Sequence, residues 1–510
     1  MMIAKTMPGA LEPPERLEAD VWLEQQIWGH RFLNDQTPWL LLLESLGIMA
    51  YLSKEERILT GVETPGVHER ISYSLMPRVK LRSLLFKDRA IDEIADGQAV
   101  SDASMWNDWF DRHGPEGEKE FGYLRDRFTR FTSFRNAVAL LRSAEVESER
   151  SRRPTSRHLA PRGADMLMAD YGEKRVGSRD KDRRFFARGG ELLYLMLNRS
   201  SCCEELEPLI RTRLLGSGSR WNALARVLQP PVTDDPLSFE YIGYLPLPSH
   251  SVYDVLAEDW RSLLSLPNLP DDNLPEPLMR LSGLAVVQYI TRRSTEVLGT
   301  DLPIFPLDMI SSDTIGVQKI SKDCYRRHRD QTRAAIVKVV DEFEATPEWA
   351  TALKQADPRK AAAEITNRRF AFDVPTDVAD ATQIPKRIKQ EALEDHEQHL
   401  GRVVGFYADR IGMAVAKRGS GRWYGASDGL IEAIVLANVR EPMEFETFLE
   451  LLWNRYRLII GTEIGRQEFE TVNYANLKAN QRLLEERLRV LGLAKRLSDD
   501  CAFVINPFWE

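Results

Sequence analysis

The chain has 510 residues, of which 43% are hydrophobic and 29% charged, and its formal net charge is -8 at pH 7. That composition excludes collagen-like and low-complexity chains. The acidic balance excludes a protein that coats nucleic acid through overall positive charge, so any such contact must come from a local basic patch.

The four cysteines, Cys202, Cys203, Cys324 and Cys501, form no CxxC pair, which predicts neither a zinc site nor a disulfide framework. Residues 1–20 contain no apolar core followed by a small-residue cleavage site. The most apolar run, Trp39 to Leu52, contains Glu44 and is too short to span a bilayer. These features predict a soluble, cytoplasmic protein with no membrane partner.

Helical periodicity dominates from the N-terminus onward, in Val21 to Phe32, Trp39 to Leu52 and Phe121 to Ser143. Strand patterns are scarce, the best being Arg70 to Met76 and Glu240 to Leu245. The expected fold class is therefore mainly α, a multi-domain helical protein with minor strands. Residues 1–146 read as an N-terminal helical domain and 147–190 as a basic loop or linker. Within that stretch, Arg150 to Arg188 carries 12 Lys plus Arg against 5 Asp plus Glu. Arg183 and Arg184, beside Phe185 and Phe186, are its candidate phosphate contacts. A solvated linker is the competing reading.

Residues 191–415 read as a central helical domain. Eleven of the 27 prolines fall between Pro230 and Pro306, which predicts loops with short helices there. The following helix, Ser321 to Glu344, carries Lys322, Arg326, Arg329 and Arg333 at steps of four, three and four. They project within about 60° of one another as a cationic stripe roughly 16 Å long. Such a stripe can follow the phosphates of a strand, or its arginine stems can pack along apolar surface. Glu394 to His399 gathers two His and three acids, but the His spacing is i, i+3 rather than the i, i+4 of H-E-x-x-H, which leaves a solvated acidic helix as the better reading.

Residues 416–444 read as a glycine-rich basic loop leading into a helix that Ser427 or Asp428 caps. Arg418, Arg422 and Trp423 are candidate nucleic-acid contacts there. The loop lacks G-x-x-x-x-G-K-[ST], as does Gly216 to Ser219, so no nucleotide cofactor is expected. No metal, no other cofactor and no Ser-His-Asp or Cys-His set can be nominated.

Residues 445–510 predict a helix at Phe445 to Tyr456, a strand at Leu458 to Ile460, helices at Glu463 to Glu470 and Asn476 to Leu491, and a hairpin from Ala494 to Ile505. This order resembles the winged helix-turn-helix domain. That likeness implies that the helix before the wing can enter a DNA major groove, with Lys478, Arg482 and Arg489 on one flank. With 9 Lys plus Arg against 10 Asp plus Glu, the segment fits a protein-docking role better than DNA contact.

Three strings share a further likeness: Arg183-Arg184-Phe185-Phe186 running into Gly190-Glu191-Leu192-Leu193-Tyr194, Arg455-Tyr456 before Ile460-Gly461, and Leu497-Ser498-Asp499. They resemble large helical subunits encoded in prokaryotic antiviral and restriction-like gene clusters. The resemblance implies a non-catalytic subunit that works beside an ATPase or nuclease. The expectation is a DNA-associated subunit of a bacterial complex. The alternatives are a metal-dependent nuclease or hydrolase whose acids assemble only in the fold, and a purely structural scaffold.

Overall fold

Helix Pro275–Leu298, buried at every position from 281 to 295, is the hub of the largest apolar cluster. The computed structural model describes residues 10–11, 22–30, 32, 36–61, 71–97, 101–146, 157–169, 188–216, 218–231, 239–498 and 501–509, and it is mainly helical. The proline density around this helix predicts short helices, yet the helix runs for 24 residues. Pro275 and Pro277 stand in its first turn, where a missing N–H costs nothing. Helices Pro38–Leu52, Ser251–Leu264, Ile315–Glu344, Leu400–Ile411 and Asp428–Asn438 all pack against it.

Polar groups of this hub helix find partners on its neighbours. Trp260 Nε1 donates to Ser282 Oγ (3.1 Å), Gln288 donates to the Tyr456 carbonyl (2.7 Å), and Trp28 Nε1 donates to the Ile290 carbonyl (3.1 Å). Gly283 marks the closest approach: a Cβ there would lie 2.4 Å from Ile411 Cγ2 and 3.3 Å from Pro38.

A second apolar cluster joins helices Val79–Phe86, Asp102–Arg112, Gly117–Arg127, Phe131–Arg142 and Arg220–Leu228 around Trp106 and Trp109. The helical run predicted over Phe121 to Ser143 is broken between Arg127 and Phe131, where Phe128 is extended. The two predicted strand segments pair with each other, Ser72 opposite Tyr241 and Tyr73 opposite Glu240.

Toward the C-terminus the helices are Phe445–Tyr456, Thr462–Glu468 and Tyr474–Val490, followed by strands Ala494–Ser498 and Cys501–Val504. Gly492, at φ 74°, ends the last helix. The hairpin takes its third strand from Met443–Glu444, ahead of these helices, whereas Leu458–Ile459 pairs in parallel with Phe305–Pro306. The buried side of Tyr474–Val490 is tied to the chain's own backbone. Asn480 accepts from Met309 N (2.8 Å) and donates to the carbonyls of Leu307 (2.8 Å) and Ile460 (3.2 Å).

Helix Gly189–Asn198 is capped from a distance. Gln36 accepts from Gly189 N and Glu44 from Gly190 N, both at 2.8 Å. Glu191, fully buried beside Glu44, accepts from Tyr73 OH and from Arg188 Nε (2.8 Å). Burial pushes the Glu191 carboxyl from 4.5 up to about 7, against the pull of Arg188.

Two outcomes follow from this packing. Gly283→Val forces a side chain into Ile411 and Pro38, and urea unfolding should show a loss of about 1–3 kcal/mol. For Glu191, a raised folded pKa means that its contribution is fully present below 4.5 and is lost as pH rises to about 7. The melting temperature of the native protein should therefore fall relative to that of Glu191→Gln across this window, and the difference should be level above it.

Candidate nucleic-acid interface

Helix Ile315–Glu344 has two unlike sides. Val317, Cys324, Ala335, Ile336, Val339, Val340 and Phe343 are buried, while Lys322, Arg326, Arg329 and Arg333 lie along another flank. That flank forms one wall of a cleft of about 1030 Å³. The junction between helices Ile384–Gln398 and Leu400–Ile411 forms a second wall, and the hairpin of strands Ala414–Lys417 and Gly421–Tyr424 a third. The segment read as a glycine-rich loop is thus a two-stranded hairpin, with Lys417 opposite Gly421 and left-handed Gly419 and Gly421 making the turn (φ 81° and 82°).

Arg402 and Arg422 join the four cations of the long helix, so six cations face two carboxylates, Asp330 and Glu397. Glu397 pairs with Arg333. Among the described residues, Lys322, Arg326, Arg329, Arg402 and Arg422 have no carboxylate within ion-pairing distance. Arg422 only donates to the Gly405 carbonyl (3.4 Å). Tyr325 and Phe406 add aromatic surface to the lining. Glycine keeps the walls close: a Cβ on Gly405 would lie 2.2 Å from the Tyr325 hydroxyl, and one on Gly421 would lie 3.4 Å from Lys322 Cε.

Buried polar contacts hold the walls in place. Ser321 Oγ donates to the Tyr424 carbonyl (2.9 Å), and the Tyr424 hydroxyl lies 2.9 Å from His328 Nδ1. Burial pushes the His328 pKa down to about 3, so this ring is neutral at ordinary pH. On the opposite wall, Thr332 Oγ1 lies 2.9 Å from His396 Nε2 and donates to the Arg329 carbonyl (2.8 Å). The ring N–H is therefore the donor between Thr332 and His396. His396 Nδ1 lies 2.7 Å from Glu24 Oε1, and burial raises the Glu24 pKa despite that partner.

The sequence-derived candidates separate into groups. Lys322, Arg326, Arg329, Arg333 and Arg422 converge on the cleft. Arg418 sits exposed at the hairpin turn and does not line it. Trp423, expected at the surface, is instead buried, and its Nε1 donates to Asp308 Oδ2 (2.9 Å). Lys478, Arg482 and Arg489 are exposed on helix Tyr474–Val490 but are not part of the cleft lining. Arg183 and Arg184 lie outside the described residues. Of the surrounding basic segment, Arg157 pairs with Glu145 (3.3 Å) and Arg162 stacks on Trp221 (4.8 Å).

The helix read as a solvated acidic face instead places His396 in the interior, because Thr332 and Glu24 satisfy both ring nitrogens. Among the described residues, no group of three or more His, Cys, Asp or Glu is placed to hold a metal. None of their helices is long and apolar enough to cross a membrane.

Comparison with protein-family models, curated proteins and solved structures finds no match. The chemistry of the cleft must therefore be read from its own residues. Sequence reasoning missed Arg402, Phe406, Gly401 and Gly405. Their spacing, Arg402 and Phe406 at i, i+4 beside Gly401 and Gly405 at i, i+4, is a helix-flank signal visible in the chain.

His396 contributes through support of this wall. His396→Ala leaves Glu24 and Thr332 without their buried partner, and urea denaturation should report a loss of about 3 kcal/mol.

Proposed function

We propose that this chain is a non-catalytic, DNA-associated subunit of a bacterial multi-protein complex of the antiviral or restriction-like type. In this reading the cleft holds nucleic acid, and other surfaces dock protein partners such as an ATPase or nuclease. One observation carries it: three separate elements bring five cations without carboxylate partners into one cleft of an otherwise acidic protein. Gathering like charges is unfavourable in the free protein and becomes favourable when a polyanion releases its counterions into solution. Phosphate is the recurring anion that suits an arginine-lined groove of this length.

The order of elements from Phe445 to Val504 supports a winged-helix reading of the C-terminal region, with its third strand supplied by Met443–Glu444. In this reading Lys478, Arg482 and Arg489, exposed on the helix before the hairpin, form a second contact surface for DNA or a docking partner.

Replacing Lys322, Arg326, Arg329 and Arg333 together with Ala tests the cleft. Affinity for unrelated DNA sequences should fall by about tenfold or more and to a similar extent, because phosphate contacts carry no sequence code. The dependence of log affinity on log salt should flatten by roughly one unit for each phosphate that is no longer neutralised. The melting temperature should change little, since exposed arginines and the single Arg333–Glu397 surface pair contribute little to stability. Unchanged affinity with a lowered melting temperature would mean that the stripe serves packing and would remove the basis for this function.

A further inference from the structure

We infer that the cleft takes a single-stranded polynucleotide rather than a duplex, and that it stacks bases on Tyr325 and Phe406. The inference rests on the nucleic-acid reading of the cleft and goes on to name the form of the ligand.

Three features of the lining lead to it. The first is shape. The cations do not stand on an open ridge but line a recess of about 1030 Å³ enclosed by two helical walls and a hairpin. A duplex carries its phosphates outside a broad cylinder and meets proteins on open surfaces or through an element laid in a groove. A single strand can enter a recess and turn its phosphates toward the cations.

The second feature is the placement of the aromatic rings. Tyr325 lies three residues after Lys322 and four before Arg329, on the same flank of the long helix. Phe406 lies four residues after Arg402 on the facing helix. Both walls thus alternate a cation with an aromatic ring, and both rings are only partly buried. This is the arrangement that holds a strand by its backbone and its base faces together. The hydroxyl of Tyr325 rests against Gly405, and the Arg410 guanidinium lies over the Phe406 ring at 5.0 Å from its centroid.

The third feature is the chemistry of the lining. It includes no Asn, Gln, Ser or Thr, the side chains that discriminate adenine edges or hydrogen-bond flexibly to bases. Its cations suit phosphates and its two rings suit base faces, and both of those contacts are common to every nucleotide. The phosphates and base faces are common to DNA and RNA, so the test includes both.

The experiment measures anisotropy of a labelled oligo(dT), its RNA counterpart and a duplex of equal charge, with inorganic polyphosphate as a base-free competitor, on the full chain. The native protein should bind the single strands about tenfold more tightly than the duplex or polyphosphate. Tyr325→Leu with Phe406→Leu should weaken single-strand binding about tenfold, keep the same salt slope, and bind polyphosphate as before. Retained polyphosphate binding reports that the cleft of the variant is intact. Should the variant fail to fold, the native comparison of strand, duplex and polyphosphate still decides. Equal affinity of the native protein for duplex and single strand would overturn the inference, as would an equal weakening of strand and polyphosphate binding in a folded variant. Absence of binding to every polyanion would instead overturn the underlying nucleic-acid reading.

Discussion

Burial of helix Pro275–Leu298 on all of its faces is the constraint on which the rest of the architecture depends. A helix with no solvent-facing side requires apolar neighbours all round, and each polar group it carries must find a partner there. Ser282, Gln288 and the Ile290 carbonyl do so on three different elements, so those hydrogen bonds fix where the neighbours sit as well as stabilising them. The long helix Ile315–Glu344 and the helix Leu400–Ile411 are both set against this hub. Core packing against the hub therefore helps set the spacing of the two cleft walls. Gly283 lets Leu400–Ile411 approach closely enough for this arrangement.

The walls of the cleft are then locked by buried polar pairs. Ser321 and His328 bind the hairpin through Tyr424, and Thr332 binds the opposite wall through His396 and Glu24. These residues lie on the same helix as Lys322, Arg326, Arg329 and Arg333, one side turned inward and the other flank toward the cleft. Desolvation keeps His328 neutral, so the interior of the helix adds no charge to the cationic flank. Such division of labour along one helix gives a rigid row of cations without requiring each to be held by an acid of its own.

A net charge of -8 and a cationic cleft are compatible because the field of a recess is set by its nearest charges, with remote ones screened over about 8–10 Å at physiological salt. The acidic remainder opposes indiscriminate binding of polyanions elsewhere on the surface. The same physics explains why Glu397 and Asp330 are tolerated in the lining: they moderate the repulsion among the cations, and Glu397 alone pairs with one of them, Arg333.

Local periodicity determined much of this protein directly. The mainly helical class, helix Phe445–Tyr456, the terminal hairpin and the cationic spacing from Lys322 to Arg333 all follow from repeats of 3.6 or 2 residues and from glycine stops, which act over one or two turns of chain. Tertiary structure alone decided what periodicity cannot encode. It brought Arg402 and Arg422 to the stripe from elements 69 and 89 residues beyond Arg333. Trp423 went inside because Asp308 was there to accept its N–H, and His396 was buried because Glu24, more than 370 residues earlier, met its ring. Proline density misled in the same way: what mattered was that Pro275 and Pro277 fall in a first turn, and that a helix so thoroughly enclosed by neighbours gains more from packing than propensity can oppose.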